Sequence, residues 1–206
     1  MLSLLVSFVL SFSFLIIAMT VHEFAHGYVA YKLGDRTAQR EGRLTLNPLA
    51  HIDPIGTVIL PLLLFLSSKG QFIFGAAKPV PINYWALKNP KRDIIWVGLS
   101  GPMANFLLAF ILSISLKFIP AIPLLQYICA QLILINVILG VFNLIPLPPL
   151  DGSRVVIGLL PEPLASGYAS IEPYGFFIVM GLAALGAFDI IVWPIVKIVV
   201  SLFMMV

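Results

Sequence analysis

The feature that most restricts this chain is an almost wholly apolar stretch, Leu2 to Tyr31, which carries the motif HEFAH at residues 22–26. A helix of about 20 apolar residues crosses the roughly 30 Å hydrocarbon core of a bilayer, where an unpaired backbone would find no hydrogen-bonding partner. We therefore predict a membrane-spanning first helix that is retained rather than removed as a signal peptide. Ionisable side chains are costly inside a span, so three of them together indicate a functional site.

The HEFAH motif has the spacing of a zinc-binding helix. His22 and His26 are four residues apart, so their imidazoles lie on one helix face, with Glu23 beside them. Two such imidazoles can bind one zinc ion, and the carboxylate can act as a general base towards water. The alternative is a chance match, with both histidines bonded to backbone carbonyls. Two of the chain's three histidines stand in this motif, which favours the zinc site.

Composition indicates an integral membrane protein. The chain is 60% hydrophobic and 10% charged, whereas soluble domains contain about 25% charged residues. Its net charge of +3 comes from short connecting stretches, which is typical of membrane topology rather than of nucleic-acid binding. We predict one domain over residues 1–206, with a catalytic core at about 1–155 and a C-terminal helical segment at 174–206.

The predicted fold is an all-α bundle of about four to six transmembrane helices. Residues 94–119 and 124–147 are long apolar runs and predict two further spans. Residues 174–206 are also apolar, but Asp189 and Trp193-Pro194 interrupt them, so one bent helix or two short ones are possible.

Two shorter features lie between the first and second predicted spans. Residues 55–66 are apolar but too few to cross a bilayer. Basic residues are concentrated at 32–43 and 88–92, and both stretches stay cytoplasmic only if 55–66 enters the membrane and returns. We therefore predict a re-entrant segment there, in a multi-pass protein of the cell membrane, with the active site towards the cytoplasm.

Residues Gln71–Asn83 combine β-forming residues with glycine and proline. This pattern predicts a short β-hairpin, whose edge could pair with an unwound substrate segment. The alternative is a simple connector.

A catalytic zinc site needs a third protein ligand and one open position. The candidates are few, namely Asp151, His51, Asp53, Cys129 and Asp189. Asp151 stands out because prolines 146, 148 and 149 break the helix before it, and irregular backbone at membrane depth is tolerated where it lines a cavity. The alternative role for Asp151 is to cap the next helix.

These motifs together resemble the site-2 protease family of intramembrane zinc metalloproteases. Two motifs occur in the order found in that family: HExxH, followed later by Asn143-x-x-Pro146-x-x-x-Leu150-Asp151-Gly152. The short bacterial and archaeal branch of the family is resembled by two further motifs, Gly101-Pro102-x-x-Asn105 and Asn47-Pro48-x-x-His51-x-Asp53-Pro54. The resemblance covers roughly residues 15–155. The stretch between the two main motifs leaves no room for the PDZ domain that many bacterial members carry there.

The resemblance implies the roles of the site residues. His22, His26 and Asp151 would bind one zinc ion, and Glu23 would be the general base. Asn143 would contact the substrate or the oxyanion. His51 and Asn105 are further candidates for substrate or oxyanion contact. The alternatives are purely structural roles: an interhelical hydrogen bond for Asn143, a loop position at the level of the lipid headgroups for His51, and helix packing for Asn105.

The implied function is hydrolysis of peptide bonds within or near transmembrane segments of single-span membrane proteins, in contact with the lipid bilayer. A metal transporter would need polar ligands along several spans, whereas here they concentrate at one depth. An inactive homologue that binds transmembrane partners would have no use for Glu23. Neither the substrate nor the number of subunits follows from the sequence.

Overall fold

The computed structural model describes residues 2–69, 75–120 and 122–205, with side chains from residue 5 onward. In this part of the chain the helices are α1 (Leu2–Lys32), α2 (Thr37–Arg40), α3 (Leu60–Ser67), α4 (Pro90–Leu116), α5 (Pro123–Asn143), α6 (Asp151–Leu159), α7 (Leu164–Ala169), α8 (Glu172–Ala184) and α9 (Trp193–Met205). Two π-helical segments, Pro54–Ile59 and Phe188–Val192, lead directly into α3 and α9. Short 3-10 turns occur at Pro48–His51 and Tyr84–Ala86.

Within the described residues, four helices are long and apolar enough to cross a membrane. They are residues 5–32 of α1, α4, α5, and the continuous run from Phe188 to the end of α9. The described residues contain no β-strand. The prediction of an all-α, multi-pass membrane protein is therefore confirmed, at the lower end of the expected helix number.

The predicted β-hairpin is not found. Residues 75–83 are irregular and form no strand, while residues 71–74 lie outside the described part of the chain. Pro79 and Pro81 remove two backbone N–H groups, which a strand in a hairpin would need for pairing.

The predicted re-entrant segment is not supported either. The apolar run forms an uninterrupted helix, with 6 π-helical residues from Pro54 followed by the 8 residues of α3. Asp53 accepts hydrogen bonds from the N–H groups of Ile55 and Gly56 and so fixes where this helix begins. Because the chain is helical throughout, it does not reverse within the run.

The C-terminal apolar stretch is broken rather than bent. α8 ends at Ala184, and the next helical segment, the π-helical one, begins at Phe188. Gly186 lies in the turn between them with a φ of 80°, a left-handed conformation that side chains larger than hydrogen disfavour. Of the two pieces, the second is long enough to span.

α4 is the central helix and contacts α1, α5 and α6. Its Ala109 packs with Ile133 and Val137 of α5 and with Val196 of α9, and all four are buried. In lipid, such packing stabilises helix association through van der Waals contact and not through expulsion of water. Gly140 allows the close approach of α5 to α4, since a Cβ there would come 2.7 Å from the Phe106 ring.

The two basic stretches meet at one end of the bundle. The N–H of Lys88 donates to the carbonyl of Leu33, directly after α1, at 2.9 Å. Lys32 therefore ends α1 close to the basic stretch at the start of α4.

Replacement of Gly140 by alanine tests the close contact between α4 and α5. We expect Gly140→Ala to lower the free energy of unfolding by about 1–3 kcal/mol, because the added methyl group overpacks the interface with Phe106. Gly181→Ala is the matched control, since a Cβ at this helical position of α8 meets nothing within 4 Å. Thermal unfolding in detergent measures both variants. Equal melting temperatures would contradict the assigned packing.

Candidate metal centre

Three ligand-type side chains converge where α1, α4 and α6 meet. His22 and His26 project from α1 and are buried, and Asp151 is the first residue of α6. The Asp151 Oδ2 atom lies 2.9 Å from the Nε2 atom of His22 and 3.2 Å from that of His26. The two Nε2 atoms are 3.0 Å apart. In the described residues, these three side chains form the one group of three or more His, Cys, Asp or Glu with metal-binding spacing.

The triangle has the dimensions of one face of a small tetrahedron. Zinc bonds to nitrogen and oxygen of about 2.0–2.1 Å place tetrahedral ligands roughly 3.3 Å apart, close to the three edges observed. A single ion therefore fits the donor set, and three protein ligands leave a fourth position open, as catalytic zinc sites require.

Hydrogen bonds on the far side of both imidazoles fix their tautomers. The Nδ1 atom of His22 lies 2.6 Å from the Oδ1 atom of Asn105, whose Nδ2 group donates to the Ala18 carbonyl. Asn105 Oδ1 is therefore an acceptor, and His22 Nδ1 must be the donor. The Nδ1 atom of His26 lies 2.7 Å from the Val97 carbonyl oxygen, which can only accept.

Both Nε2 atoms consequently present lone pairs to each other and to the Asp151 carboxylate. Three acceptors within about 3 Å repel one another when no donor or cation lies between them. A divalent cation removes this repulsion, and the partners on the Nδ1 side are of the kind that metal-binding histidines use to orient their rings. The donor set thus fits a zinc ion on the basis of its own hydrogen bonding.

Gly101 of α4 provides the space for the imidazoles. A Cβ at this position would lie 2.6 Å from the Cε1 and Nε2 atoms of His22 and closer still to His26 Nε2. Even an alanine would press against the metal-facing atoms. The glycine of the Gly-Pro-x-x-Asn motif therefore has a steric role at the site.

Asp151 is not the N-cap that the alternative interpretation offered. Leu150 occupies the N-cap position of α6, and Asp151 lies in the first turn with its carboxylate on the two histidines. A negative charge at this end of a helix is also favoured by the helix dipole.

Arg154, one turn further along α6, connects the site to α8. Its guanidinium forms a two-pronged ion pair with Glu172 at the start of α8, and it lies 5.6 Å from the centre of the Tyr84 ring. Burial alone would lower the pKa of Arg154, but the hydrogen-bonded Glu172 carboxylate together with the other groups around it, among them Asp151, raises it. The helix that carries Asp151 is thus held by α8 through Arg154, in addition to its contact with the histidines of α1.

Glu23 directly follows His22 in α1 and is half-buried. Its Oε2 atom accepts a hydrogen bond of 2.8 Å from the backbone N–H of Val80. The carboxylate that the sequence predicts as a base is therefore held by the irregular segment at residues 75–83.

The three residues suggested as substrate or oxyanion contacts differ in their burial and in their hydrogen-bond partners. Asn105 is fully buried, and its amide is used by His22, Ala18 and Asn136, so it positions His22 and is enclosed by helices. The Nδ2 group of Asn143 donates to the Leu139 carbonyl one turn back in α5. His51 is buried, and its Nε2 atom bonds the Thr45 carbonyl.

The other candidates for the third ligand lie elsewhere. Asp53 begins a helix, and Cys129 is buried in α5. Asp189 lines a mostly apolar cavity of about 590 Å³ between α1, α5 and the segment that leads into α9.

Sequence reasoning missed Asn136. This residue of α5 is fully buried and accepts a hydrogen bond of 2.8 Å from Asn105, while its own Nδ2 group donates to the Leu132 carbonyl. An asparagine in the middle of an otherwise apolar span was the available signal. Through it, the ring of His22 is supported from α5 as well as from α4.

Comparison with known proteins agrees with this geometry. A model of the family described as Peptidase family M50 matches residues 120–184. The Bacillus subtilis protein named "Putative zinc metalloprotease YwhC" is 38% identical over 194 residues, which cover 89% of this chain and 84% of that protein.

The chain belongs to peptidase family M50. This is the site-2 protease family, so the predicted membership is confirmed, and the protein is a zinc metalloprotease. "Zinc metalloprotease MJ0392" of Methanocaldococcus jannaschii is 29% identical to this M50 protease over 197 residues, which cover 93% of the chain and 46% of that protein. No solved structure matches the chain.

Removal of the Asn105 amide tests its role in this M50 metalloprotease. We expect Asn105→Ala to weaken zinc binding about 10–100-fold, because the ring of His22 loses the acceptor that orients it. Ser113→Ala is the control, since Ser113 is a buried polar residue on the same helix that bonds only within its own turn. Zinc retention during titration with a chelator gives the comparison. Equal retention by both variants would show that Asn105 does not orient the ligand.

Proposed function

We propose that this M50 metalloprotease is an intramembrane endopeptidase that hydrolyses peptide bonds within or near transmembrane segments of other membrane proteins, in the manner of regulated intramembrane proteolysis. One observation carries the proposal: His22 and His26, two of the three residues of the metal-binding triangle, lie together with Glu23 on a helix long enough to cross a bilayer. A soluble substrate would not require the reactive groups at this position.

The depth of the site supports cleavage inside the membrane. His26 and His22 precede Lys32, the last residue of α1, by six and ten residues. At a rise of 1.5 Å per residue, they lie about 9 Å and 15 Å from the helix end. Peptide bonds that reach them belong to segments buried below the bilayer surface.

We assign His22, His26 and Asp151 as the ligands of one zinc ion. When bound, zinc polarises the scissile carbonyl and makes water more acidic at neutral pH. The Asn105 and Val97 oxygens hold the two imidazoles in the tautomer that presents Nε2 to the metal. The Asp151 carboxylate completes the set from the opposite side and lowers the net charge of the centre.

Glu23 acts as the general base and acid. A carboxylate oxygen of Glu23 takes a proton from the attacking water as the new C–O bond forms, and then gives a proton to the leaving amine nitrogen as the C–N bond breaks. Glu23 directly follows His22 on the helix that carries two of the three assigned ligands. No side chain other than Glu23 is needed for this proton transfer.

The basic residues support a cytoplasmic orientation in the cell membrane. Both basic stretches lie at the end of the bundle where Lys88 bonds to the residue after Lys32. Because lysine and arginine concentrate in cytoplasmic loops, this end faces the cytoplasm, and the site lies nearer to that side. Single-span membrane proteins are the substrates that we propose, since one helix can approach the bundle laterally through lipid and then unwind.

The Glu23→Gln variant tests the proposed chemistry. We expect cleavage of single-span reporter proteins in vesicles to fall by about 10²–10⁴-fold, because the amide cannot accept the proton from water. Zinc content is expected to stay unchanged, since Glu23 is not assigned as a ligand. Unchanged cleavage by Glu23→Gln would refute the role of the base, and cleavage confined to soluble peptides would refute the intramembrane assignment.

A further inference from the structure

We propose that the segment at residues 75–83 positions the catalytic carboxylate: the backbone N–H of Val80 holds one oxygen of Glu23, so that the other oxygen is directed at the reacting water. This inference rests on the proposed role of Glu23 as the base. It assigns a function to a stretch that the sequence suggested as a hairpin for substrate pairing.

The hydrogen bond is specific to one backbone group. Val80 N donates to Glu23 Oε2 at 2.8 Å. Val80 stands between Pro79 and Pro81, which have no N–H. It is therefore the only possible backbone donor among these three residues, and a small shift of the segment brings no substitute to Glu23.

The segment is fixed to the protein along one edge. The N–H of Ala76 donates to the Gly56 carbonyl at 2.9 Å, and that of Lys78 donates to the His51 carbonyl at 2.9 Å. The N–H of Val80, two residues further on, donates to Glu23, so the N–H groups of Ala76, Lys78 and Val80 define one bonded edge of the segment. Glu23 occupies the third position in the series.

Carbonyl groups of the segment are fixed from the same surroundings. The hydroxyl of Thr57 donates to the Ala76 carbonyl at 2.7 Å, and the guanidinium of Arg43 donates to the Lys78 carbonyl at 2.8 Å. The Asn-Pro-x-x-His-x-Asp-Pro motif thereby gains a role, because its His51 and the helix that it leads into hold the segment. The contribution of the buried His51 to this contact is its backbone carbonyl.

Val80 also fits against α1 through its side chain. The residue is 5% exposed, and a Cβ added to Gly27 would lie 3.0 Å from Val80 Cγ1. Gly27 is one helical turn after Glu23, so the side chain and the N–H of Val80 contact adjacent turns of the same helix. Two contacts fix both the distance and the direction of the N–H towards the carboxylate.

The opposite edge of the segment is poorly suited to strand pairing. Prolines occupy positions 79 and 81 on that edge, so it can accept hydrogen bonds there but cannot donate them. A substrate strand added at this edge would receive no backbone hydrogen bond from positions 79 and 81. The sequence therefore keeps a backbone donor on the inner edge, where it bonds Glu23, and removes donors from the opposite edge.

Replacement of the Val80 peptide bond by an ester tests the proposal. Incorporation of the α-hydroxy acid analogue of valine at position 80 removes the N–H and retains the side chain. We expect kcat for a single-span reporter to fall about 10–100-fold, as expected for a displaced reacting group, with KM, zinc content and melting temperature unchanged.

Two controls separate the possible failures. An ester at position 77, on the opposite edge, should leave kcat unchanged. An unchanged kcat for the position-80 ester, while Glu23→Gln is inactive, would overturn the positioning role and leave the proposed function standing. A parallel fall in zinc content or melting temperature would also overturn it, because the contact would then be merely structural. Full activity of Glu23→Gln would instead refute the proposed function.

Discussion

The structure depends on three electron-pair donors that face one another inside an apolar bundle. His22, His26 and Asp151 come within about 3 Å without a proton donor between them. Such an arrangement is unfavourable in a low-dielectric interior unless a cation joins the donors. The surrounding helices can be understood as the means of holding it: α1 presents the rings, α4 leaves space at Gly101, and α6 brings the carboxylate.

The sequence was most informative where ionisable residues with metal-binding spacing occur in an apolar stretch, since such residues are costly to bury in a membrane. Ionisable residues at helical spacing in an apolar stretch have few explanations, so the motif at 22–26 and Asp151 could be paired before any coordinates were known. The spanning helices followed from length and hydrophobicity alone. Local pattern was insufficient at residues 71–83, where β-forming residues suggested a hairpin. In the described part, residues 75–83, two prolines and contacts with distant turns produce an irregular, anchored segment instead.

The polar residues behind the metal centre were harder to predict. Asn105 belonged to a recognised motif, yet its contact with His22 depends on how α1 and α4 cross, which no local pattern records. Asn136 lies 31 positions further along the chain and had no motif at all. A buried asparagine in a span signals a partner, but only the packing of helices identifies which one.

The chain of hydrogen bonds from His22 through Asn105 to Asn136 has a thermodynamic consequence. It joins a proposed metal ligand to residues of two further helices, so the free energy of ion binding and that of helix assembly are linked quantities. Each tenfold rise in free zinc above its dissociation constant adds about 1.4 kcal/mol to the stability of the assembled state. A cell that withholds the ion from newly inserted chains would thus delay their compaction together with their activity.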